Sequence, residues 1–236
     1  MFSEVCQKRI EKEYENLMKQ FPQMETELAE GMKECDADVK LALKYLYSHM
    51  PLSDVGNYDC SVMRDFAEHG VKLWKEPLFQ EPLPEDLFLN YVLYHRVNSE
   101  GIEPCRTFFY QQLKNRIQGM NMKDAALEAN YWCAEEATYK STDGRTLSAM
   151  GVYRNVFGRC GEESVFAVNV MRSIGIPARQ VYVPWWSHCD DNHAWVEVWC
   201  DGEWYFLGAC QKKTLLEQRE WLRWATRLED MLFLKI

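Results

Sequence analysis

Apolar positions recur at helical spacing through the first third of the chain. Ile10, Tyr14, Leu17 and Phe21 fall at i, i+4, i+7 and i+11, one face of a helix. Asp36 and Asp38 can cap a second helix that turns Val39, Leu43, Leu46 and Tyr47 inward. Met50-Pro51 ends it, because the residue before proline avoids helical dihedrals. Ser61 to Lys75 can form a third helix. Pro77, Pro82 and Pro84 then crowd one short segment, which reads as a linker. Pro84-Glu85-Asp86 opens a further helix with Leu87, Tyr91 and Tyr94 on one side. Helices follow around Thr107 to Ile117 and Met122 to Thr138, and Ser141 to Thr146 is a polar loop.

From Cys160 the pattern sharpens. Val165 to Ile174 is apolar nearly all round, which predicts a buried helix that begins at Cys160. Glu162 and Glu163 occupy its first turn, where acids complement the helix dipole. Gly175 suits the position after its end, and Pro177 forbids continuation. Val181 to Val183 reads as a strand ended by Pro184, and His193 to Cys200 as another. Asp201-Gly202 is a two-residue hairpin turn, and Glu203 to Leu207 returns from it. Alternation along His193 to Cys200 puts His193, Trp195, Glu197 and Trp199 on one face and Ala194, Val196, Val198 and Cys200 on the other. The second set suits a core and the first a cleft. After Cys210, Leu215, Leu216, Trp221, Leu222, Trp224, Leu228, Met231 and Leu232 suggest a terminal amphipathic helix. The pattern therefore predicts an α+β chain: a helical N-terminal domain over 1–83, a core over 84–210 with a cysteine-bearing helix packed on an antiparallel sheet, and a helical tail over 211–236.

Composition narrows the function. The 236 residues are 47% hydrophobic and 14% aromatic, which excludes a disordered chain. A net charge of −9 opposes binding to nucleic acid or to an anionic membrane. No apolar run approaches the roughly 18 residues of a membrane span. Met1 to Gln20 is charged and has no apolar signal region, so a cytoplasmic protein is the default expectation, or an exported one if a leader has been removed. The nine cysteines cannot all pair internally, and no C-x-x-C occurs. Most read as small buried hydrophobes. His188 and Cys189 lack the partner spacing of a metal site, so neither metal nor cofactor is expected. His49 and His69 read as surface or interface histidines.

The candidate chemistry is Cys160 with His193. A thiolate, not a thiol, attacks carbonyl carbon. The start of a helix favours the anion through the dipole and free amides, and a nearby histidine can take the proton. The Cys160 amide could serve as one oxyanion donor. A third group usually orients the imidazole. If Cys200 pairs with Glu203 across the hairpin, Trp195 lies opposite Gly208, and position 208 shares the His193 face one diagonal step away. An acid there could reach the ring; the sequence has glycine, and Gln211 is expected to point to the other face. Glu197 is nearly 7 Å along the strand from His193 and reads as a partner of Arg179. Asp190 and Asp191 precede His193, but adjacent strand residues point apart. Trp185, Trp186 and Trp195 are candidates for lining a substrate cleft.

Four pieces in order carry a resemblance: Gly158-Arg159-Cys160-Gly161-Glu162, Gly175-Ile176-Pro177-Ala178-Arg179, His193-Ala194-Trp195-Val196-Glu197-Val198, and Trp204 to Leu207. Together they resemble the transglutaminase-like superfamily of papain-type enzymes, and the Gly-Arg-Cys-Gly-Glu wording is most similar to peptide:N-glycanase and its bacterial relatives. The resemblance implies a papain-like Cys/His fold with Cys160 as nucleophile and His193 as base. It also implies an aspartate where this chain has Gly208. The zinc-binding C-x-x-C pairs associated with peptide:N-glycanases are missing.

Two readings follow. One is thiol-dependent acyl transfer or amide hydrolysis on a peptide or protein amide, through a Cys160 thioester. Hydrolysis is the expectation, since nothing in the sequence supplies an amine site or calcium ligands. The other is a catalytically impaired fold that binds a partner through the helical N-terminal part, with Gly208 as its signature. Loss of the orienting acid can remove about 10⁴-fold in rate.

Overall fold

The computed structural model describes residues 1–142, 144–185 and 192–212, together with the backbone of Leu234–Lys235. Ten helices lie within the described residues: α1 Glu4–Gln20, α2 Glu25–Met32, α3 Ala37–His49, α4 Leu52–Asn57, α5 Cys60–Lys75, α6 Glu85–Phe88, α7 Arg106–Leu113, α8 Met122–Glu136, α9 Ala149–Asn155 and α10 Cys160–Ser173. The strands are β1 Thr138–Tyr139, β2 Phe157–Gly158, β3 Ala178–Val183, β4 His193–Cys200, β5 Glu203–Leu207 and β6 Leu234–Lys235. The helical N-terminal region precedes an α+β core, as the patterning implies. The helix read over Leu215 to Leu232 falls outside the described residues.

The N-terminal helices form for the reasons the sequence supplies. Asp36 caps α3 by accepting from the Val39 amide at 2.9 Å, and Met50 leaves helical dihedrals ahead of Pro51. Ile10, Val39, Leu43, Leu46 and Tyr47 are buried. After Pro84 the expected helix divides into α6 and a wider π-type turn, Leu89–Leu93. Its buried face is Phe88, Leu89, Val92 and Leu93 rather than Leu87, Tyr91 and Tyr94. The fully apolar residues take the interior. The tyrosines take the flank, where Tyr94 donates its hydroxyl to the His49 carbonyl at 3.0 Å and Tyr91 packs edge-on to Trp204 at 4.9 Å. Of the surface or interface alternatives, His69 takes the interface: it is buried between α5 and α10, its Nε2 lies 2.6 Å from the Ser173 carbonyl, and burial lowers its pKa to about 4.

Four antiparallel strands form one sheet in the order β5-β4-β3-β6. The β4–β5 register pairs Cys200 with Glu203 and Val196 with Leu207. Asp201 (φ 53°) and Gly202 (φ 82°) both take the left-handed conformation of a two-residue hairpin turn. Helix α10 lies across β3 and β4, and Val196, Val198, Cys200 and Leu207 join its apolar residues in one buried cluster. That cluster continues through the helices on both sides of the Pro82-Leu83-Pro84 segment. The opposite face of the sheet buries a smaller set: Val181, Val183, Trp195 and Phe206. A two-residue parallel pair, β1 with β2, ends beside the start of α10.

Buried charges fasten the N-terminal helices to the core. Asp54 on α4 accepts from His95 Nε2 at 2.9 Å and from Arg96 Nε and Nη2 at 2.6 and 2.5 Å. Arg96 in turn donates to the Glu100 carbonyl at 2.8 Å. Burial raises the Asp54 pKa, but the hydrogen bonds and charges of His95 and Arg96 outweigh it and hold the carboxyl down to about 2. A depressed carboxyl adds stability that is complete above its ordinary pKa and disappears as pH falls through the folded value. Asp54→Asn is therefore expected to lose roughly 2 kcal/mol at neutral pH. Urea unfolding of both proteins between about pH 4 and pH 2 checks this: the difference between them should shrink steadily over that range.

Candidate active site

The first turn of α10 is held by a set of buried hydrogen bonds. Glu162 is fully buried. Its carboxylate accepts from the Arg159 amide at 3.0 Å, from Thr142 Oγ1 at 2.7 Å and from the Leu147 amide at 3.1 Å. The first bond is half of a capping box, and the other two pin the 141–147 loop to the helix start. From below, Gln180 on β3 donates Nε2 to the Gly161 carbonyl at 3.0 Å and to Ser164 Oγ at 2.5 Å. Ser164 Oγ donates to the Cys160 carbonyl at 2.8 Å. Asn98 donates to the Gln180 amide oxygen at 2.7 Å, which fixes which way that amide faces.

A cavity of about 620 Å³ opens at this helix end. Arg159, Cys160 and Glu163 line it from the helix, and Asn192 and His193 line it from the start of β4. The turn after β5 contributes Ala209, Cys210 and Gln211, and the β1 side Thr138, Tyr139 and Ser141. The two residues singled out from the sequence, Cys160 and His193, thus line the same cavity from two elements. The backbone amides of Ala194 and Gly161 act on the cysteine sulfur, each favouring its anion.

The thiol differs from its expectation. Burial pushes the Cys160 pKa above its ordinary value, and the Glu163 carboxylate adds to the rise. The Ala194 and Gly161 amides and the Arg159 guanidinium pull it down without compensating. The helix start is present, but desolvation wins. Glu163 itself is 7% exposed, and burial alone raises its pKa to about 7. In the sequence it reads as a dipole-complementing acid; here it faces the cavity one helical turn from Cys160.

Position 208 also differs. The ladder ends with Val196 opposite Leu207, so Gly208 is the first residue beyond it, and one further step of the same register would set it opposite Trp195, on the His193 face. That space is filled: a Cβ on Gly208 would stand 2.6 Å from Gln211 Oε1 and 2.8 Å from its Cδ. Gln211 does not point to the other face, because the chain turns back at Cys210, whose φ is 53°. Asn130, fully buried on α8, holds this turn with three bonds: Nδ2 to the Gly208 and Gln211 carbonyls, each 2.9 Å, and the Cys210 amide to Oδ1 at 3.0 Å. Asn130 and Gln180 were invisible as site residues. Their signal is a lone amide within an otherwise apolar stretch.

The remaining candidates divide. Trp195 packs against Phe206 at 5.9 Å in the second cluster and is buried, so it does not line the cavity. Trp185 is 64% exposed and is not part of the cavity wall. Trp186, His188, Cys189, Asp190 and Asp191 lie outside the described residues. Glu197 pairs with Arg179 as expected, at 2.9 and 2.6 Å, with the guanidinium stacked 3.9 Å from the Trp204 ring centre. Among the described residues no three His, Cys, Asp or Glu side chains converge as a metal would require.

Residues 111–209 match the family model of the transglutaminase-like superfamily. No curated protein matches the chain. Among solved structures, the chain is similar to a candidate cysteine protease from Cytophaga hutchinsonii, with 17% identity and a TM-score of 0.45. The similarity covers 61% of this chain and 49% of that one, so this chain spans about half the length of the structure it matches.

A carboxyl with a raised pKa binds its proton more tightly folded than unfolded, so it lowers stability as pH rises from its ordinary value through about 7. Glu163→Gln is expected to leave stability unchanged near pH 4 and to raise it above about pH 8, by up to roughly 3 kcal/mol. Thermal unfolding of the two proteins at both pH values checks it.

Proposed function

With residues 111–209 a transglutaminase-like core, we propose that this protein is a thiol-dependent hydrolase or acyltransferase acting on a peptide or protein amide. The observation that carries the reading is that Cys160 and His193 line one cavity, from the start of the helix and the start of the strand. The Cys160 sulfur attacks the amide carbonyl carbon while His193 takes the thiol proton. The tetrahedral intermediate collapses, the C–N bond breaks, and His193 returns that proton to the departing amine. Water then attacks the thioester, His193 takes its proton, and the products are a carboxylic acid and the restored thiol. The raised thiol pKa favours deprotonation during attack over a thiolate formed beforehand.

The second reading, an impaired fold that binds a partner, draws on Gly208. With a glutamine amide rather than a carboxylate beside the His193 face, the imidazolium formed during attack receives no charge from position 208.

The two readings separate on reaction with p-nitrophenyl acetate. The hydrolase reading expects a burst of close to one p-nitrophenol per chain, with the acetyl group on the Cys160 peptide by mass spectrometry. Cys160→Ala should abolish the burst, and His193→Ala should slow acylation by roughly 10²-fold or more. Acetylation of Cys160 no faster than that of the other cysteines would sink the proposal.

A further inference from the structure

Four carboxyl side chains are buried among the described residues: Asp54, Glu100, Glu162 and Glu163. Three have clear structural work. Asp54 receives His95 and Arg96, Glu100 receives the Val97 and Asn98 amides at 2.7 and 2.6 Å, and Glu162 caps α10. Glu163 differs. Its carboxyl has no hydrogen bond or ion pair with any described residue, and it faces the cavity that also exposes Cys160. A buried charged group without a partner is costly, and folded proteins retain one mainly where a ligand supplies the missing partner.

The charges around Glu163 are few. On its own helix are Cys160 and Arg159. The Arg159 guanidinium is engaged elsewhere: Nη2 donates to the Arg145 carbonyl at 2.8 Å and to Thr146 Oγ1 at 3.0 Å. The turn after β5 brings Cys210, whose sulfur donates to the Glu163 carbonyl oxygen at 3.8 Å, and α8 brings Cys133 beside it. His193 faces in from β4 and Tyr139 from β1. None of these supplies Glu163 with a fixed positive partner.

We infer that the Glu163 carboxylate forms a cation subsite beside Cys160, and that the substrate presents a protonated amine there, within one helical turn of the reacting carbonyl. This deepens the proposed thiol chemistry and rests on it for the word substrate; the subsite itself does not. The coupling has a direction. Glu163 and the Cys160 thiolate repel, so a cation between them stabilises both anions. A cationic substrate therefore helps to activate the nucleophile it meets, whereas a neutral or anionic one leaves the repulsion in place.

The test uses two methanethiosulfonates of similar size, 2-(trimethylammonium)ethyl and 2-sulfonatoethyl. Each reacts with the Cys160 thiolate to form a mixed disulfide and release methanesulfinate, and rates are read at the Cys160 peptide by mass spectrometry. The ratio of cationic to anionic rate, divided by the same ratio for free N-acetylcysteine, cancels the thiolate fraction. Near pH 8 this ratio should be roughly tenfold in the wild-type chain, and it should fall toward pH 6 as Glu163 protonates. The deciding comparison is Glu163→Gln, which keeps every other charge around the cavity and should lose most of the preference near pH 8. Glu163→Asp should keep much of it. The wild-type pH series needs no variant, and thermal unfolding verifies that each variant is folded. A ratio near one in the wild type, or one that Glu163→Gln leaves unchanged, overturns the subsite. A persistent ratio without the ester burst upholds the subsite while the hydrolase reading falls. A burst with a flat ratio does the reverse.

Discussion

The first turn of α10 is the constraint on which the rest depends. A buried carboxylate is costly unless its lone pairs are filled, and Glu162 fills them with a backbone amide of its own cap, a threonine hydroxyl and a loop amide. Those three bonds fix Thr142 and Leu147 against the helix start and set how the chain enters the helix. Gln180 closes the opposite side by bonding the Gly161 carbonyl and Ser164 Oγ, which joins the helix start to β3. Since β4 pairs with β3 over six residues, His193 inherits its position from the same clamp. The cysteine and the histidine line a common cavity because one polar network fixes the end of the helix and, through it, the end of the strand.

Much of this was legible in the sequence. The limits of β4, the Asp201-Gly202 turn and the β5 return follow from alternation bounded by turn residues, and the register follows from the turn length. The Asp36 cap, the Pro51 stop and the long buried helix after Cys160 carry equally local signals. What was not legible depends on partners distant in sequence. The face containing Trp195 reads as a cleft because it mixes polar and aromatic residues, yet Val181, Val183 and Phe206 cover the tryptophan. Asn130 lies 78 residues from the Gly208 carbonyl it holds, and no period in either segment announces that contact. Glu163 was read correctly as a first-turn acid, but a dipole argument does not indicate whether such an acid meets water or a cavity.

Position 208 shows how a volume without a side chain is filled. The turn through Cys210 returns Gln211 so that its amide occupies the space a side chain on Gly208 would enter. The amide brings packing and hydrogen-bonding capacity but no charge. An amide can accept a hydrogen bond from an imidazole, but it cannot stabilise an imidazolium as a carboxylate does.

That difference bears on how a thiol in this cavity could work at all. Burial and Glu163 both raise the Cys160 pKa, and position 208 offers no negative charge to sustain a protonated His193. A preformed thiolate is thus disfavoured by desolvation and by a like charge. Two routes remain under the proposed chemistry. Proton transfer can be concerted with attack, which spares both ions a separate existence, or an arriving cation can neutralise Glu163 and lower the thiol pKa. The second route needs a carboxyl that is buried, unpaired and adjacent, and Glu163 meets all three conditions. The like charge that raises the thiol pKa would then also favour a cationic substrate over a neutral one.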